Sequence, residues 1–365
     1  MVRKSPAKSV AIATGNRRTS LQPAGKSNTT AAWALVEPRI GFLLLPKFSM
    51  LELFCAIEPL RIANRLGGQV FSWTFISTDG AAVAASNGIP VAPSQSLQEI
   101  KDLPILFVTA SFEPEVTIQR RDQAKLRDLA RHGTLLGAID TGPFVLARAG
   151  LLQNRRTTLH WESLAAFAEE FPEIPTSANV FELDGDRLTC PGGTAPIDMM
   201  LHLIALRGGS DLANAIAEQI VHPRIRPGHD PQRQEPSQRY QISDPTVIKA
   251  IALMEDNLDE PLGMEEVAHR CDVSQRHLER LFRTCMNQTG KALYVRLRLD
   301  RARQLLVETH RPIGDIALAT GFASRAHFTR AYRGIFGTTP GRRRRQVAGN
   351  PSAAGVSAEF PTLKE

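Results

Sequence analysis

Apolar residues in the first half of the chain fall into short continuous runs separated by stretches of helical spacing. Ile40 to Leu45 is one such run, and Met50 to Asn64 follows it with Leu51, Phe54, Ile57, Glu58 and Ile62 near a helical period. Further runs lie at Phe71 to Ser77, Ile105 to Val108 and Leu135 to Ile139, with a helical segment from about Glu113 to Arg131 between the last two. Strands with no polar face, separated by helices, predict an α/β domain: a parallel sheet with helices on both faces, flavodoxin-like in type. Val180 to Leu183 and Arg187 to Cys190, either side of Asp184-Gly185, predict a hairpin, and Pro196 to Leu206 a helix.

The pattern changes at His222. From there to Ser243 the chain reads HPRIRPGHDPQRQEPSQRYQIS, with four prolines and few apolar residues, which is linker composition. Asp244-Pro245 then supplies an N-cap and a first-turn proline for a helix that lines up Val247, Ile248, Ile251 and Leu258. Beyond it, residues 262–286 and 311–336 repeat each other. Val267-Ala268 matches Ile316-Ala317 at an offset of 49, and Ser274, Leu278, Arg280 and Phe282 match Ser324, Phe328, Arg330 and Tyr332 at 50. Each repeat predicts a helix-turn-helix unit: a short helix with a small inward alanine, a tight turn, and a serine capping a second helix. The second turn holds Gly321, suited to a positive φ, where the first holds Asp272, which tolerates it less well. Leu278, Leu281 and Phe282, and likewise Phe328, Tyr332 and Ile335, form the apolar sides of the second helices. Between the units, Lys291 to Thr309 has no Pro or Gly and predicts one all-α spacer of about 19 residues and about 28 Å. A rod of that length can hold two reading helices about one DNA turn apart.

Charge placement agrees with a polyanion partner. Residues 261–345 carry 17 Lys and Arg against 7 Asp and Glu, a net of +10 in a chain of +7, so the remainder is slightly acidic. This stretch resembles the DNA-binding domains of the AraC/XylS family over about 100 residues, through SQRHLERLF in the first unit and IALATGFASRAHFTRAYRGIFGTTP in the second. The resemblance implies that Arg276, Glu279 and Arg280, and then Arg325, Ala326 and Arg330, meet base edges. Arginine forks onto guanine and glutamate accepts from cytosine, whereas Ala326 offers only a methyl contact. With the capping serines and the remaining polar faces, the DNA-binding set is Ser274, Gln275, Arg276, Glu279, Arg280, Arg283, Ser324, Arg325, Ala326, Arg330 and Arg333. Each arginine has a second reading as a phosphate contact, which is the expectation for Arg342 to Arg345.

In the first half, LLGAIDTGPFVLARAGLL sets Asp140 between a buried strand and a helix, the position of a nucleophile elbow. Together with GFLLLPKFSM, IEPLRIANRL, TLHWES, GGTAPIDMMLHLIAL and HPRIRPGHDPQR, it resembles the PfpI-like, class I amidotransferase-like domain that precedes the DNA-binding unit in the GlxA branch of the AraC family. In enzymes of that superfamily the elbow residue is a cysteine, with a nearby carboxylate that the resemblance places at Glu58 and often a histidine, here His160. A carboxylate is a poor replacement for a thiolate, so Asp140 implies a ligand pocket and no catalytic residue is assigned. The candidate ligand-binding residues are Glu58, Asp140, His160 and Trp161. Two carboxylates with aromatic faces from Trp161, Phe48 and Phe144 suit a small cationic or zwitterionic nitrogen metabolite. Asp140 has the alternative of capping the helix from Gly142, and His160 and the aromatic residues that of packing the core.

On these patterns the chain divides into a tail at 1–36 read as disordered, a ligand-sensing domain at 37–221, a linker at 222–243, a DNA-binding domain at 244–345 and a second disordered tail at 346–365. Cys55, Cys190, Cys271 and Cys285 show no C-x-x-C spacing, so they are expected to be buried reduced thiols, with no zinc site, disulfide or cofactor. The expected function is a sequence-specific transcriptional regulator, an activator in type. Its expected partners are double-stranded DNA, a small-molecule effector, a second copy joined through the first domain, and RNA polymerase. With no apolar run of bilayer length and no leader pattern, the expected location is the cytoplasm and no membrane partner is assigned. The competing classes are a PfpI-like hydrolase or glyoxalase fused to a DNA anchor, and a sequence-indifferent chromosome binder.

Overall fold

The computed structural model describes residues 26–68, 70–111, 118–308 and 311–349. Helix α1 (Lys26–Leu35) leads into β1 (Arg39–Leu44), α2 (Met50–Gly67) and β2 (Ser72–Ser77). Short strands β3 (Val83–Ala84), β4 (Pro90–Val91) and β5 (Gln95–Ser96) precede β6 (Ile105–Ala110), α3 (Arg120–Arg131), β7 (Leu135–Asp140) and α4 (Gly142–Arg148). Then come β8 (Thr157–Thr158), α5 (Leu164–Glu170), β9 (Thr176–Ser177), β10 (Glu182–Asp184), β11 (Arg187–Cys190), α6 (Ala195–Gly208) and α7 (Ser210–Gln219).

Seven strands form one sheet in the order β10-β11-β7-β6-β1-β2-β5, parallel throughout except at the β10–β11 hairpin. This is the expected α/β layer arrangement. β6 and β7 bury every residue because helices cover both faces, and successive side chains enter opposite layers. Leu43, Leu106, Val108, Leu136 and Ala138 join α3, α4 and α5 on one side, while Ile40, Phe42, Leu44, Phe107 and Ile139 join α1, α2, α6 and α7 on the other. The expected helix from Glu113 begins at Arg120 among the described residues, and residues 113–117 lie outside them.

The expected tail at 1–36 is corrected at its end. Residues 26–35 form α1, and Trp33 is 1% exposed, with its Nε1 donating to the Gly185 carbonyl at 3.3 Å. Arg207 Nη1 donates to the Val36 carbonyl at 2.5 Å. Burying one large aromatic side chain is worth on the order of 2 to 3 kcal/mol, enough to dock a segment whose composition otherwise reads as tail. Residues 1–25 and 350–365 lie outside the described residues.

The second half is helical: α8 (Pro236–Arg239), α9 (Pro245–Glu255), α10 (Met264–Arg270), α11 (Gln275–Met286), α12 (Gly290–Glu308), α13 (Ile313–Ala319), α14 (Arg325–Phe336) and α15 (Pro340–Gly349). The Asp244 carboxylate caps α9, accepting from Thr246 N and Val247 N. The spacer helix α12 belongs to both units. Its Leu293 and Tyr294 lie in the core of α9, α10 and α11, and its Leu299, Ala302, Leu305 and Leu306 pack with Ile316, Phe328 and Tyr332 of the second unit. Arg298 ties it to the second turn: Nε donates to the Thr320 carbonyl at 2.8 Å, and the guanidinium lies 4.2 Å from the Phe322 ring centroid.

The stretch at 222–243 has linker composition but is a tethered strap. Asp198, fully buried on α6, accepts from Arg226 N at 2.7 Å and Arg226 Nε at 2.9 Å, and pairs with His222 Nε2 at 2.8 Å. Further on, Gln232 Nε2 donates to Thr158 Oγ1 at 2.8 Å and to the Leu159 carbonyl at 3.0 Å. A buried carboxylate needs such partners, and polar residues of the strap provide them.

Candidate functional site

Helices α11 and α14 begin alike. Ser274 Oγ and Ser324 Oγ each accept from the backbone N–H three residues on, at 3.2 Å. The turns before them reach positive φ in both units, 60° at Asp272 and 72° at Gly321. Packing also requires glycine in the second: a Cβ at Gly321 would stand 2.5 Å from Pro261 Cδ. Leu278 and Phe282, and Phe328 and Tyr332, are buried, with Leu281 and Ile335 packed partly beside them. Each helix is therefore seated by one side and bare on the other.

The bare sides hold the residues read from the sequence. Ser274, Gln275, Arg276, Arg280 and Arg283 are exposed at or on α11, with Glu279 half-buried, and Ser324, Arg325, Ala326, Arg330 and Arg333 are exposed at or on α14. Arg280 Nη2 lies 3.2 Å from His277 Nδ1, and Arg283 Nε lies 3.8 Å from Glu279 Oε1. Exposed contacts of this kind are weak, so the guanidinium groups can turn toward a duplex. The basic run on α15 is not uniform. Arg344 Nη1 donates to the Arg311 carbonyl at 2.6 Å and Nε to the Leu306 carbonyl at 3.4 Å, closing the end of α12, while Arg342 and Arg345 are exposed. The phosphate role expected of all four arginines is thus corrected for Arg344.

At the end of β7, Asp140 has φ +61° and is 5% exposed. That backbone conformation costs a non-glycine residue on the order of 1 kcal/mol. It is held by the next residue, since Thr141 N donates to the Ala110 carbonyl at 3.3 Å and Thr141 Oγ1 to the Ser111 carbonyl at 2.8 Å. The N-cap residue of α4 is Thr141, with no side-chain cap bond, so the alternative of Asp140 as that cap is not realised.

The acid facing Asp140 is Glu52, in the first turn of α2 and 5% exposed. A Cβ at Gly192 would stand 2.4 Å from Glu52 Oε1 and 2.9 Å from Asp140 Cβ, so both acids pack against the same glycine turn, which only a residue without a side chain leaves room for. Gly193 N donates to Glu52 Oε1 at 3.1 Å, and Glu52 Oε2 is buried with no partner among the described residues. Burial pushes the Glu52 carboxyl well above its ordinary range, Asp140 pushes it further, and the Gly193 bond opposes both. Burial also pushes Asp140 up to about 6, opposed by His160 and a hydrogen bond with Ser111 and assisted by Glu162. With both carboxyls raised, ionising the two together is disfavoured, and a cation beside them would relieve that cost.

The expectation that Glu58 is the carboxylate beside Asp140 is corrected. Six residues along a helix turn it by about 240°, so Glu58 leaves α2 on the outer side. There it pairs with Arg61 at 2.7 Å and lines a surface groove with Leu51, Phe54 and Arg65. A signal for Glu52 was present: it falls on one helix stripe with Ala56, Pro59 and Ala63, all buried, where an acid is out of place unless it has work. Phe48 and Phe144 are core residues, the latter edge-on to Phe167 at 5.0 Å between centroids, and form no cage. His160 is close to the acids: its N–H donates to the Asp140 carbonyl at 3.4 Å. The Trp161 ring lies 5.6 Å from that of His160, and the Arg233 guanidinium lies over it at 4.2 Å.

Two thiols border the acids without supplying a nucleophile. Cys55 is pushed up to about 11 by burial and then by Glu52 and Asp198, and Cys190, fully buried, is pushed further up by burial. A thiol so raised carries little thiolate near neutral pH. Cys285, expected to be buried, is instead exposed on α11, next to the basic face.

Residues 267–346 match the Helix-turn-helix domain family and residues 38–206 the DJ-1/PfpI family. The chain is 45% identical over 299 residues to the HTH-type transcriptional regulator CdhR of Pseudomonas aeruginosa, covering 82% of this chain and 89% of that one. It is 40% identical over 314 residues to the HTH-type transcriptional regulator GbdR of the same species, covering 86% of each. With the HTH-type transcriptional regulator GlxA of Rhizobium meliloti it shares 38% over 310 residues, covering 84% of this chain and 96% of that one.

Proposed function

This chain belongs to the DNA-binding transcriptional regulators that join a DJ-1/PfpI domain to an AraC-type helix-turn-helix domain, and from that premise we propose that it reads a specific duplex site through α11 and α14 under the control of a small cationic or zwitterionic effector held at Asp140 and Glu52. The supporting observation is the pair of identically capped, outward-facing basic helices on one shared strut. At 1.5 Å per residue the 19-residue α12 is about 28 Å long, which suits two segments of major groove on one side of a duplex. Arg276, Glu279 and Arg280 are the proposed base readers of the first unit, and Arg325, Ala326 and Arg330 those of the second.

The effector class follows from the buried acids. A cation entering beside them relieves the cost of ionising both, whereas a further anion adds to the repulsion. No nucleophile is assigned at Asp140, and the proposed role of the two acids is binding without turnover. A second copy is the proposed occupant of the groove on α2, whose volume is about 370 Å³. Leu51 and Phe54 are about half exposed there, at 57% and 51%, and Glu58 alternates with Arg61 and Arg65, so a two-fold partner meets opposite charge with its own face. Action as an activator through RNA polymerase in the cytoplasm completes the reading. Among the described residues no helix is long and apolar enough to cross a membrane.

The test of the DNA reading is affinity at fixed salt. Duplexes enriched from a random pool by the full chain should bind at least about 10³-fold more tightly than scrambled duplexes of the same length. Equal affinity would identify a sequence-indifferent binder instead. For the effector, calorimetric titration of the full chain with betaines, amino acids and carnitine should give binding that Glu52→Gln weakens, and binding of neutral or anionic metabolites alone would contradict the class.

A further inference from the structure

One segment of the first half lies against Asp140 at one end, meets the second DNA-reading unit at Arg311, and reaches the first by way of Arg233 of the strap. We propose that residues 160–171 couple the buried acids Asp140 and Glu52 to the two units, through Arg233 to the first and through Glu169 and Arg311 to the second. The proposal rests on the reading of Asp140 and Glu52 as an effector site.

The segment begins at His160, whose N–H donates to the carbonyl of Asp140, the residue with φ +61°. The His160 carbonyl accepts from Ser163 N at 2.8 Å and Leu164 N at 3.1 Å, which winds the chain directly into α5. A shift of the Asp140 backbone therefore pulls on a short stiff element with no slack loop between.

Its first outward contact is Trp161. Arg233 of the strap stacks over that ring at 4.2 Å and also lies 3.7 Å from Glu255 Oε1. Glu255 is the last residue of α9, and Arg239 holds it with Nη1 and Nη2 at 2.7 and 2.6 Å. α9 contributes Val247, Ala250, Ile251 and Met254 to the core that seats α11, so motion at Glu255 reaches the first reading helix. A planar guanidinium can stack on an aromatic face and meet a carboxylate at its edge at once, which an ammonium does poorly.

The second contact is at the far end of α5. Glu169 pairs with Arg311, just before α13, and the Arg311 carbonyl is in turn held by Arg344 of α15. Phe171 packs on the buried cluster that continues into Leu299, Leu305, Ile316 and Phe328 of the second unit. A half-exposed ion pair and a cation–π contact are each weak, so an effector can break or remake them without unfolding either unit.

Hydrogen exchange on the full chain tests this without a known operator. In the otherwise native protein, Glu52→Gln should change exchange by about threefold or more in 160–171, in α9 and in α13. In the Arg233→Ala, Arg311→Ala double variant, the effect of Glu52→Gln should stay within 160–171. Arg233→Lys, which keeps the charge but loses the flat face, should remove the α9 response and leave that of α13; it also decides the matter if the double variant fails to fold. Equal α9 and α13 responses in native and bridge-deleted backgrounds, or no response in either, would overturn the proposal. A parallel arm adds glycine betaine to the native chain. If it changes nothing while Glu52→Gln still acts through the bridge, the effector class is wrong and the coupling stands.

Discussion

Replacing Asp140 with asparagine should make the first half of the protein more stable near neutral pH and leave it unchanged in acid. Asp140 is buried at the elbow and its carboxyl is pushed up to about 6, chiefly by burial. Against an ordinary value near 3.9, the shift is about two units, or about 3 kcal/mol at roughly 1.4 kcal/mol per unit. A carboxyl raised on folding stabilises the folded state while protonated, so that contribution is present below about pH 4 and fades as pH rises through about 6. Asparagine cannot ionise, matches aspartate in shape, and tolerates the positive φ at this position. The difference between Asp140→Asn and the native chain should thus be near zero at about pH 4 and reach up to about 3 kcal/mol in favour of the variant above about pH 7. Urea unfolding followed by tryptophan fluorescence measures it, because Trp33, Trp73 and Trp161 all lie in the first half. A variant less stable than the native chain at about pH 7.5, or a difference that does not vary between about pH 4 and 7.5, would refute the reasoning. Stability gained by deleting an acid that costs this much is what a binding site predicts.

Three further outcomes follow from the same geometry. Gly321→Ala should destabilise the second unit by about 1 to 3 kcal/mol, because the added methyl meets Pro261 at a positive φ; a melting curve by circular dichroism should show the loss, and a neutral result would mean the turn relaxes freely. Phe54→Lys on the outer side of α2 should shift the chain toward monomer in sedimentation velocity, and an unchanged oligomeric state would move the self-contact elsewhere. Removing Arg342 or Arg345 should weaken binding to all duplexes alike and lower the salt slope by about 1 each, whereas Arg344→Ala should cost stability instead; a slope change from Arg344 would return it to the phosphate contacts.

The architecture was legible because each element announced itself by a periodicity that burial enforces. Strands such as Leu135 to Ile139 are apolar at every position since both sheet faces are covered, and α11 and α14 carry the same serine, apolar stripe and basic face in the same order. The elbow was legible as well, from a buried strand running into Asp140 ahead of Gly142. What was not legible depends on direction in space. Glu52 and Glu58 sit on one helix, and only the packing of α2 on the sheet decides which of them faces Asp140. The polar strap at 222–243 reads as linker because its partners, Asp198 and Thr158, are distant in sequence. Trp33 docks for the same reason, through Gly185. Trp161 is prominent in sequence, yet its role is fixed by Arg233, 72 positions away and unmarked by any local pattern.

Two basic helices on one strut, each reading its own stretch of groove, are tested most directly by hydroxyl-radical footprinting. The full chain is placed on a duplex enriched from a random pool, and base-by-base competition accompanies the footprint. The expected result is two protected segments about one helical turn apart, with Arg280→Ala relaxing base preference in one only and Arg330→Ala in the other only, each by roughly 1 to 3 kcal/mol at a base pair. A single protected segment, or uniform weakening across all sequences from both substitutions, would contradict it.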